Sequence, residues 1–528
     1  MRISKSVFIL FVLSLIFCLP CAAEEEDSFF QIYELTVEGS EIDYVVEDLN
    51  SDGLKDLLFL HMVKMNKTES RIFSVFYQTK TGFPPIADQN FEVNKNAIVY
   101  CVSNIAQNPG KEILFFEEKG LFYYFADSGK FNSQPKMLME TASMFKLPDG
   151  SFLEHYDFAV DLNEDGIDEI IVPNFNHYVI YHQDSTGAYT KKSILNVDLQ
   201  SSIISAKEAS QYIVASYIIP NIIFADYNND MKKDIIFVQE SRLHIFFQNN
   251  DGTFSDDDAV NVELGDKLTK KYALRIKDRN VYHRDRFKDK TGIKTIQDLN
   301  HDGLMDVVTE TYSVAKSAFT PQKTLKIFFG RPAGEYPSKG AIFNSRPDNS
   351  IVTTGFPGRG AILDLNGDKR MDLLIPSIEL GFFKIIRILL SGKADVDLQI
   401  YKGTEQGNYN EEPDQVIGFT LHIDRKGRRL PVANFKGDFN GDSKIDYLGA
   451  TEEEIKIVFN PDDENIKSDP DVLFPVKIPE NGINVKPNYI SDDPYSDIVM
   501  IYSDTADETE KDKNVSVLIN RNGDKVTN

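Results

Sequence analysis

Asp298-Leu299-Asn300-His301-Asp302-Gly303-Leu304-Met305-Asp306, followed at once by Val307-Val308, is the stretch on which the reading of this chain turns. Counted from Asp298, the Asp and Asn at positions 1, 3 and 5 have the oxygen-rich spacing of a calcium loop, where a tight turn brings alternate side chains onto one hard cation. The carboxylate at position 9 closes the cage. Three acidic side chains crowded into one turn repel each other when it is empty, so a divalent ion is the simplest account of their grouping. One copy alone is weak evidence, because Asp, Asn and Gly also build ordinary surface turns.

The pattern is not alone. Clear copies begin at Asp48, Asp161, Asp226, Asp298, Asp364 and Asp438. The first interval is 113 residues and the others are 65 to 74, which predicts a decayed copy midway through the first. Residues 104–112 (NIAQNPGKE), followed by Ile113-Leu114-Phe115-Phe116, fill that place, and 489–497 (YISDDPYSD), followed by Ile498-Val499-Met500-Ile501, form another. Eight units result. An Asx-rich hairpin turn without an ion is the alternative for each loop, but it would have to recur six times in register.

Each unit has the same grammar. An apolar strand enters the acidic loop, a second leaves it (Asp56-Leu57-Leu58-Phe59-Leu60, Glu169-Ile170-Ile171-Val172, Asp234-Ile235-Ile236-Phe237), and a third ends in a Gly-aromatic turn. Those turns are Gly82-Phe83, Gly129-Lys130-Phe131, Gly187-Ala188-Tyr189, Gly252-Thr253-Phe254, Gly334-Glu335-Tyr336 and Gly407-Asn408-Tyr409. A shorter fourth strand follows, as at 90–93, 260–264 and 415–420. Four antiparallel strands in a radial repeat make an all-β fold, the β-propeller. Eight four-stranded blades are expected, with seven as the alternative. The eighth unit shows only strands two and three after its loop (497–503 and 515–520), and the segment 29–37 (FFQIYELTV) can supply the missing outer strand. Pairing the N- and C-terminal strands closes the ring and protects both edges.

Composition agrees with a large folded chain. At 528 residues it exceeds one ordinary core and needs several domains or a repeat architecture. A net charge of −25 argues against nucleic acid as a partner. Arg2 and Lys5, an apolar run from Val7 to Leu19 and Cys21-Ala22-Ala23 before Glu24 read as a secretory signal over 1–23, leaving 24–528 as a single propeller domain. Cleavage would take the charge from −25 to −27. Leu19-Pro20 ahead of Cys21 fits a lipoprotein cleavage box poorly, so a lipid anchor is the lesser alternative. No later run reaches the ~18 apolar residues of a transmembrane helix. The expectation is export to a periplasmic, secreted or cell-surface location, with Cys101 as a single buried thiol.

The repeated D-x-N-x-D-G-x-x-D with its apolar strand and downstream Gly-aromatic turn resembles the FG-GAP/VCBS repeat family, whose best-known members are the integrin α-subunit propellers. The resemblance covers essentially the whole mature chain. It implies a calcium-binding propeller engaged in adhesion or in protein and glycan binding. Carried over to this sequence, the calcium ligands fall on Asp48, Asn50, Asp52 and Asp56; Asp161, Asn163, Asp165 and Glu169; Asp226, Asn228, Asp230 and Asp234; Asp298, Asn300, Asp302 and Asp306; Asp364, Asn366, Asp368 and Asp372; and Asp438, Asn440, Asp442 and Asp446. The family adds a backbone carbonyl at position 7. Up to six Ca2+ ions are implied. Position 6 favours Gly because the backbone turns sharply there, which Gly53, Gly166 and Gly303 satisfy and Met231, Lys369 and Ser443 do not. The first, third and fifth loops are therefore expected to bind most readily. The second has only Glu112 as a carboxylate and the eighth lacks an oxygen ligand at position 1, so both are expected to stay empty.

In an up-and-down meander the calcium loops and Gly-aromatic turns share one face, and the 2-to-3 and 4-to-1 connections share the other. The long segments 201–220, 266–294, 377–395 and 504–513 all belong to the second face, which makes it the expected binding surface. Segment 266–294 is a basic, aromatic island, read either as a site for an anionic partner or as a solvated loop paired with its own acids. Residues 377–390 can form an amphipathic helix with Phe382, Ile385, Ile386, Leu389 and Leu390 towards one side, packed on the propeller or offered to a membrane or partner. The eight histidines show no metal-ligand spacing, and no nucleophile elbow, phosphate loop or Cys-His arrangement is present. No catalytic residue is assigned. The expected function is a calcium-binding adhesion or protein-interaction module for a protein or glycan ligand. The alternatives are a structural scaffold for an envelope assembly and a glycan-active enzyme like the calcium-dependent polysaccharide lyases.

Overall fold

The computed structural model describes residues 28–522 except 66–67, 107–109, 128, 149–152, 198, 206–212, 221, 240–241, 258, 265–289, 314–321, 333–339, 355, 358–359, most of 379–392, 405–406, 423–432, 452, 460–469, 480–481 and 503–514. The chain forms eight antiparallel blades of four strands each, a β-propeller. Blade 1 shows the pattern: Ser40–Glu47 pairs with Asp56–Met65, that with Thr68–Phe76, and that with Gln89–Glu92. Burial explains the composition of each strand. The second strand lies between two neighbours and between two blades, so it reads as an unbroken apolar run: Glu169–Pro173 and Asp497–Ile501 are buried at every residue. The outer strand meets solvent on one side and alternates, as in Gln89–Glu92 and Val472–Pro475.

Closure follows the expected pairing. Phe30–Leu35 adds antiparallel to Val515–Asn520 in full register, from Phe30 opposite Asn520 to Leu35 opposite Val515, and becomes the outer strand of blade 8. Phe30 is only 2% exposed, with its ring 4.9 Å from Phe29, 5.2 Å from Phe474 and 6.2 Å from Phe439. Leu35 packs on the other side among Leu57, Phe59, Phe76 and Val517, between blades 8 and 1. The core is thus a set of wedges between adjacent blades. Cys101 lies in one of them as a free, buried thiol.

Several features were not expected. Blade 2 gains a fifth strand, Glu154–His155, parallel to Val99–Ser103. The segment at 201–220 is largely an antiparallel hairpin, Gln200–Ser205 with Ile213–Ile218. Within 377–395, Lys384, Arg387, Leu390 and Ser391 are helical as expected, with Leu390 70% exposed, but 377–378 and 393–395 belong to the strands Asp372–Ile378 and Lys393–Tyr401. Of the expected insertion 266–294, residues 290–294 belong instead to the first strand of blade 5, Lys290–Gln297, while 266–289 and 504–513 lie outside the described residues. Among the described residues no helix is long and apolar enough to cross a membrane.

Candidate metal centres on one face of the ring

The eight acidic loops join strands one and two of their blades, so they lie around one face of the ring. Their construction is uniform. In all six intact loops position 1 accepts the N–H of position 6 on Oδ2, at 2.7 to 3.0 Å. Position 5 accepts the N–H of position 7 on Oδ1, at 2.8 to 3.1 Å. The position 3 amide reaches position 5 Oδ2 at 3.0 to 3.3 Å. Three oxygen-bearing side chains are therefore drawn to one centre, half open to solvent.

The backbone bends at two positions. Position 6 is left-handed in every intact loop: Gly53, Gly166 and Gly303 at φ 85 to 88°, and Met231, Lys369 and Ser443 at 65 to 68°. The non-glycine loops thus adopt the same turn, at a strain of roughly 1 kcal/mol each. Position 4 is left-handed as well, in Ser51, Glu164, Asn229, His301, Gly367 and Gly441. Sequence reasoning passed over position 4 because four of its six residues are not glycine.

Position 9 has a second task. Asp56, Asp234, Asp306, Asp372 and Asp446 are 0% exposed and Glu169 2%. One oxygen of each accepts the N–H of position 2, at 2.6 to 3.0 Å. In four of them the other oxygen accepts an N–H from the end of the third strand: Gln78 at 2.9, Gln248 at 3.0, Gly330 at 2.7 and Gly403 at 2.9 Å. The carboxylate clasps three strands of its own blade. The clasp persists in the decayed eighth loop, where Asp497 accepts from Ile490 and Asn520, and in part in the second, where Glu112 accepts from Ile105. Burial pushes Asp56, Glu169 and Asp306 up to about 7 and Asp234 to about 6. The backbone N–H groups pull the other way, and the carboxylates at positions 1 and 5 add a further push.

The loops are also joined to each other. Position 2 is a buried apolar residue in all eight: Leu49, Ile105, Leu162, Tyr227, Leu299, Leu365, Phe439 and Ile490. Position 8 of one loop reaches position 1 or 2 of the preceding one, as in Lys111 N to Leu49 O (3.1 Å), Asp168 N to Asn104 O (2.8 Å), Met371 N to Leu299 O (2.9 Å) and Ser496 N to Asp438 O (2.6 Å). Lys55 Nζ donates to Tyr489 O at 3.0 Å and carries this belt across the closure. Amides at the ends of third strands reinforce it: Gln183, Gln248 and Asn520 donate to the position 2 carbonyls of Ile105, Leu162 and Phe439 at 2.7, 2.7 and 2.9 Å. Two of the Gly-aromatic turns stand beside a loop, where a Cβ on Gly407 would come within 2.8 Å of Asn300 and one on Gly252 within 3.5 Å of Asn163; the expected turn at 334–336 lies outside the described residues.

Whether a cation fits can be tested on the donor set. Each intact loop offers only hard oxygen donors, of the type Ca2+ takes. Asp161 Oδ1 and Asn228 Oδ1 are buried acceptors without a hydrogen-bond partner, at positions 1 and 3 of their loops. Among the described residues no three His, Cys, Asp or Glu side chains form a ready metal cluster, because position 3 is an amide and position 9 is held by backbone N–H groups. The residues fit calcium in kind, with positions 1, 3 and 5 facing the centre and position 9 behind them. A bound ion would supply the positive charge that three neighbouring carboxylates lack.

A different polar cluster lies in blade 1. His61, Ser74 and Asn90 line a cavity of about 400 Å3 with Val63, Ile72, Ile86 and Phe91. Ser74 Oγ is 2.7 Å from His61 Nε2 and donates to Asn90 Oδ1 at 2.5 Å.

No protein-family model and no curated protein matches the chain. Solved structures do align with it over most of its length. A lectin of Agrocybe aegerita that recognises non-reducing terminal N-acetylglucosamine covers 84% of this chain and 94% of its own, at 12% identity and a TM-score of 0.38. The V. cholerae biofilm matrix protein Bap1 covers 94% and 92%, at 10% and 0.24. The WD40 domain of SCAP from fission yeast covers 81% and 96%, at 7% and 0.30. Likeness this distant carries no argument about function; the strand pairing itself establishes eight blades.

Proposed function

We propose that this chain is an exported propeller of the FG-GAP/VCBS type, stabilised by calcium and acting as a binding or adhesion module for a protein or glycan. The observation that carries the calcium part is the set of six loops that bring the Asp, Asn and Asp side chains of positions 1, 3 and 5 together in the same register, with the position 3 amide on the position 5 carboxylate in each. The binding part rests on economy of the fold. The loop face is committed to the belt, and the long connections at 266–289, 379–392 and 504–513 belong to the other. Export rests on the apolar leader at 1–23.

The test is a pull-down of the mature protein from its own cells, with and without a chelator, beside a variant lacking 266–289, which spares the strand Lys290–Gln297. Partners are expected to be lost on chelation and on deletion. Retention of the same partners by the deletion variant would remove this segment from recognition. Chelation is also expected to lower the melting temperature, and an unchanged melting curve with no metal by elemental analysis would refute the calcium reading.

A further inference from the structure

We infer that loops 4 and 6 carry their own cation: Lys232 and Arg370, at position 7, hold the carboxylate oxygen that a calcium ion would use, so these loops take up calcium much more weakly than loops 1, 3 and 5. The inference rests on the calcium reading above and separates five of its six sites into two kinds; loop 7, with Lys444 at position 7, is assigned to neither.

The oxygen concerned is Oδ2 of position 5. Its partner Oδ1 is committed to the backbone N–H of position 7 in every intact loop. Oδ2 instead faces the position 3 amide, and so the centre of the loop. In loop 4 Lys232 Nζ lies 3.1 Å from Asp230 Oδ2. In loop 6 Arg370 places a guanidinium nitrogen 2.6 Å from Asp368 Oδ2 and is steadied by Nε donating to Gly403 O at 3.0 Å. Loops 1, 3 and 5 have Leu54, Ile167 and Leu304 at the same position, with no charge to offer.

The consequence is electrostatic. A tethered cation about 4 Å from a divalent ion opposes it with two units of charge product, on the order of tenfold or more in affinity even at the dielectric of water. Both basic groups are about seven-tenths buried, so solvent screens them only in part.

The test compares calcium-binding isotherms of metal-free wild-type protein, the double variant Lys232→Leu/Arg370→Leu and the charge-retaining variant Lys232→Arg/Arg370→Lys, by titration calorimetry and equilibrium dialysis. The leucine variant is expected to gain two sites, or to tighten two weak ones by about tenfold or more, while the charge-retaining variant follows the wild type. In chelator the leucine variant is expected to melt lower than wild type and to recover when calcium is added, which loss of packing alone would not produce. Identical isotherms for wild type and leucine variant would overturn the inference, as would a charge-retaining variant that behaves like the leucine one. If none of the three binds calcium, the calcium reading itself falls and this inference with it.

Discussion

Replacing Phe30 by Ala tests the closure of the ring at a single side chain. The ring is 2% exposed and surrounded by Phe29, Phe439 and Phe474 with centroids 4.9 to 6.2 Å away. Truncating a buried Phe costs about 3 to 5 kcal/mol through lost transfer and the cavity left behind. Edge-to-face partners add about 0.5 to 1.5 kcal/mol per aromatic pair beyond area, and Phe30 stands edge-on to three rings, which places the expected loss at the upper end. The control sits two residues along the same strand. Ile32 is 36% exposed against 2% for Phe30, so Ile32→Ala should cost clearly less than Phe30→Ala. Guanidinium unfolding followed by circular dichroism reads both, and limited proteolysis shows whether the first strand is released before the rest. If both variants shift the midpoint equally, or Phe30→Ala costs less than about 1 kcal/mol, the first strand does not seal blade 8 in the way described.

Two further outcomes follow from the decayed second loop. Burial raises Glu112 to about 7 from its ordinary value of 4.5, so the folded state binds the proton more tightly than the unfolded one. Stability from this group is therefore present below pH 4.5 and lost as the pH rises to about 7, by up to ~3 kcal/mol; Glu112→Gln should match wild type near pH 4 and exceed it at pH 8, and equal stability at both pH values would refute the account. Gly110 has φ +105° and a Cβ there would lie 2.6 Å from the Leu49 carbonyl oxygen, whereas Gly129 at φ +77° has nothing within 4 Å. Gly110→Ala should thus cost well over the roughly 1 kcal/mol strain expected of Gly129→Ala, and equal midpoints would show that the belt between loops 1 and 2 yields freely.

Much of the architecture was legible because the loop signal has a fixed period. The decayed copy at 104–112 was found by spacing and that at 489–497 by its acidic residues and the apolar run behind them, and both lie between the first two strands of a blade. The apolar position 2 was in plain view in all eight copies, but its burial has no meaning until the neighbouring blade is in place. The clasp by position 9 could not be read, since it depends on third-strand N–H groups some 14 to 31 residues away. The same holds for His61 and Ser74, which meet only through the register of two strands. Nothing in the sequence marks Lys232 and Arg370 out from other charges beside a metal motif; only the contact with one particular oxygen gives them a role. The connections expected to carry recognition have no repeat to discipline them, and their sequences vary in length and kind.

The union of the two ends in blade 8 also governs how the molecule forms. Phe30 and Asn520 are neighbours across a sheet although almost the whole chain separates them, so that contact has the largest loop to close and is expected to form late. Until then the growing protein is an open arc with an unpaired strand at one end and an unfilled groove at the other. At high concentration the free strand of one arc can fill the groove of a second, giving an exchanged dimer or a chain of arcs. Dilute refolding, in which each arc meets its own end first, should favour the closed monomer.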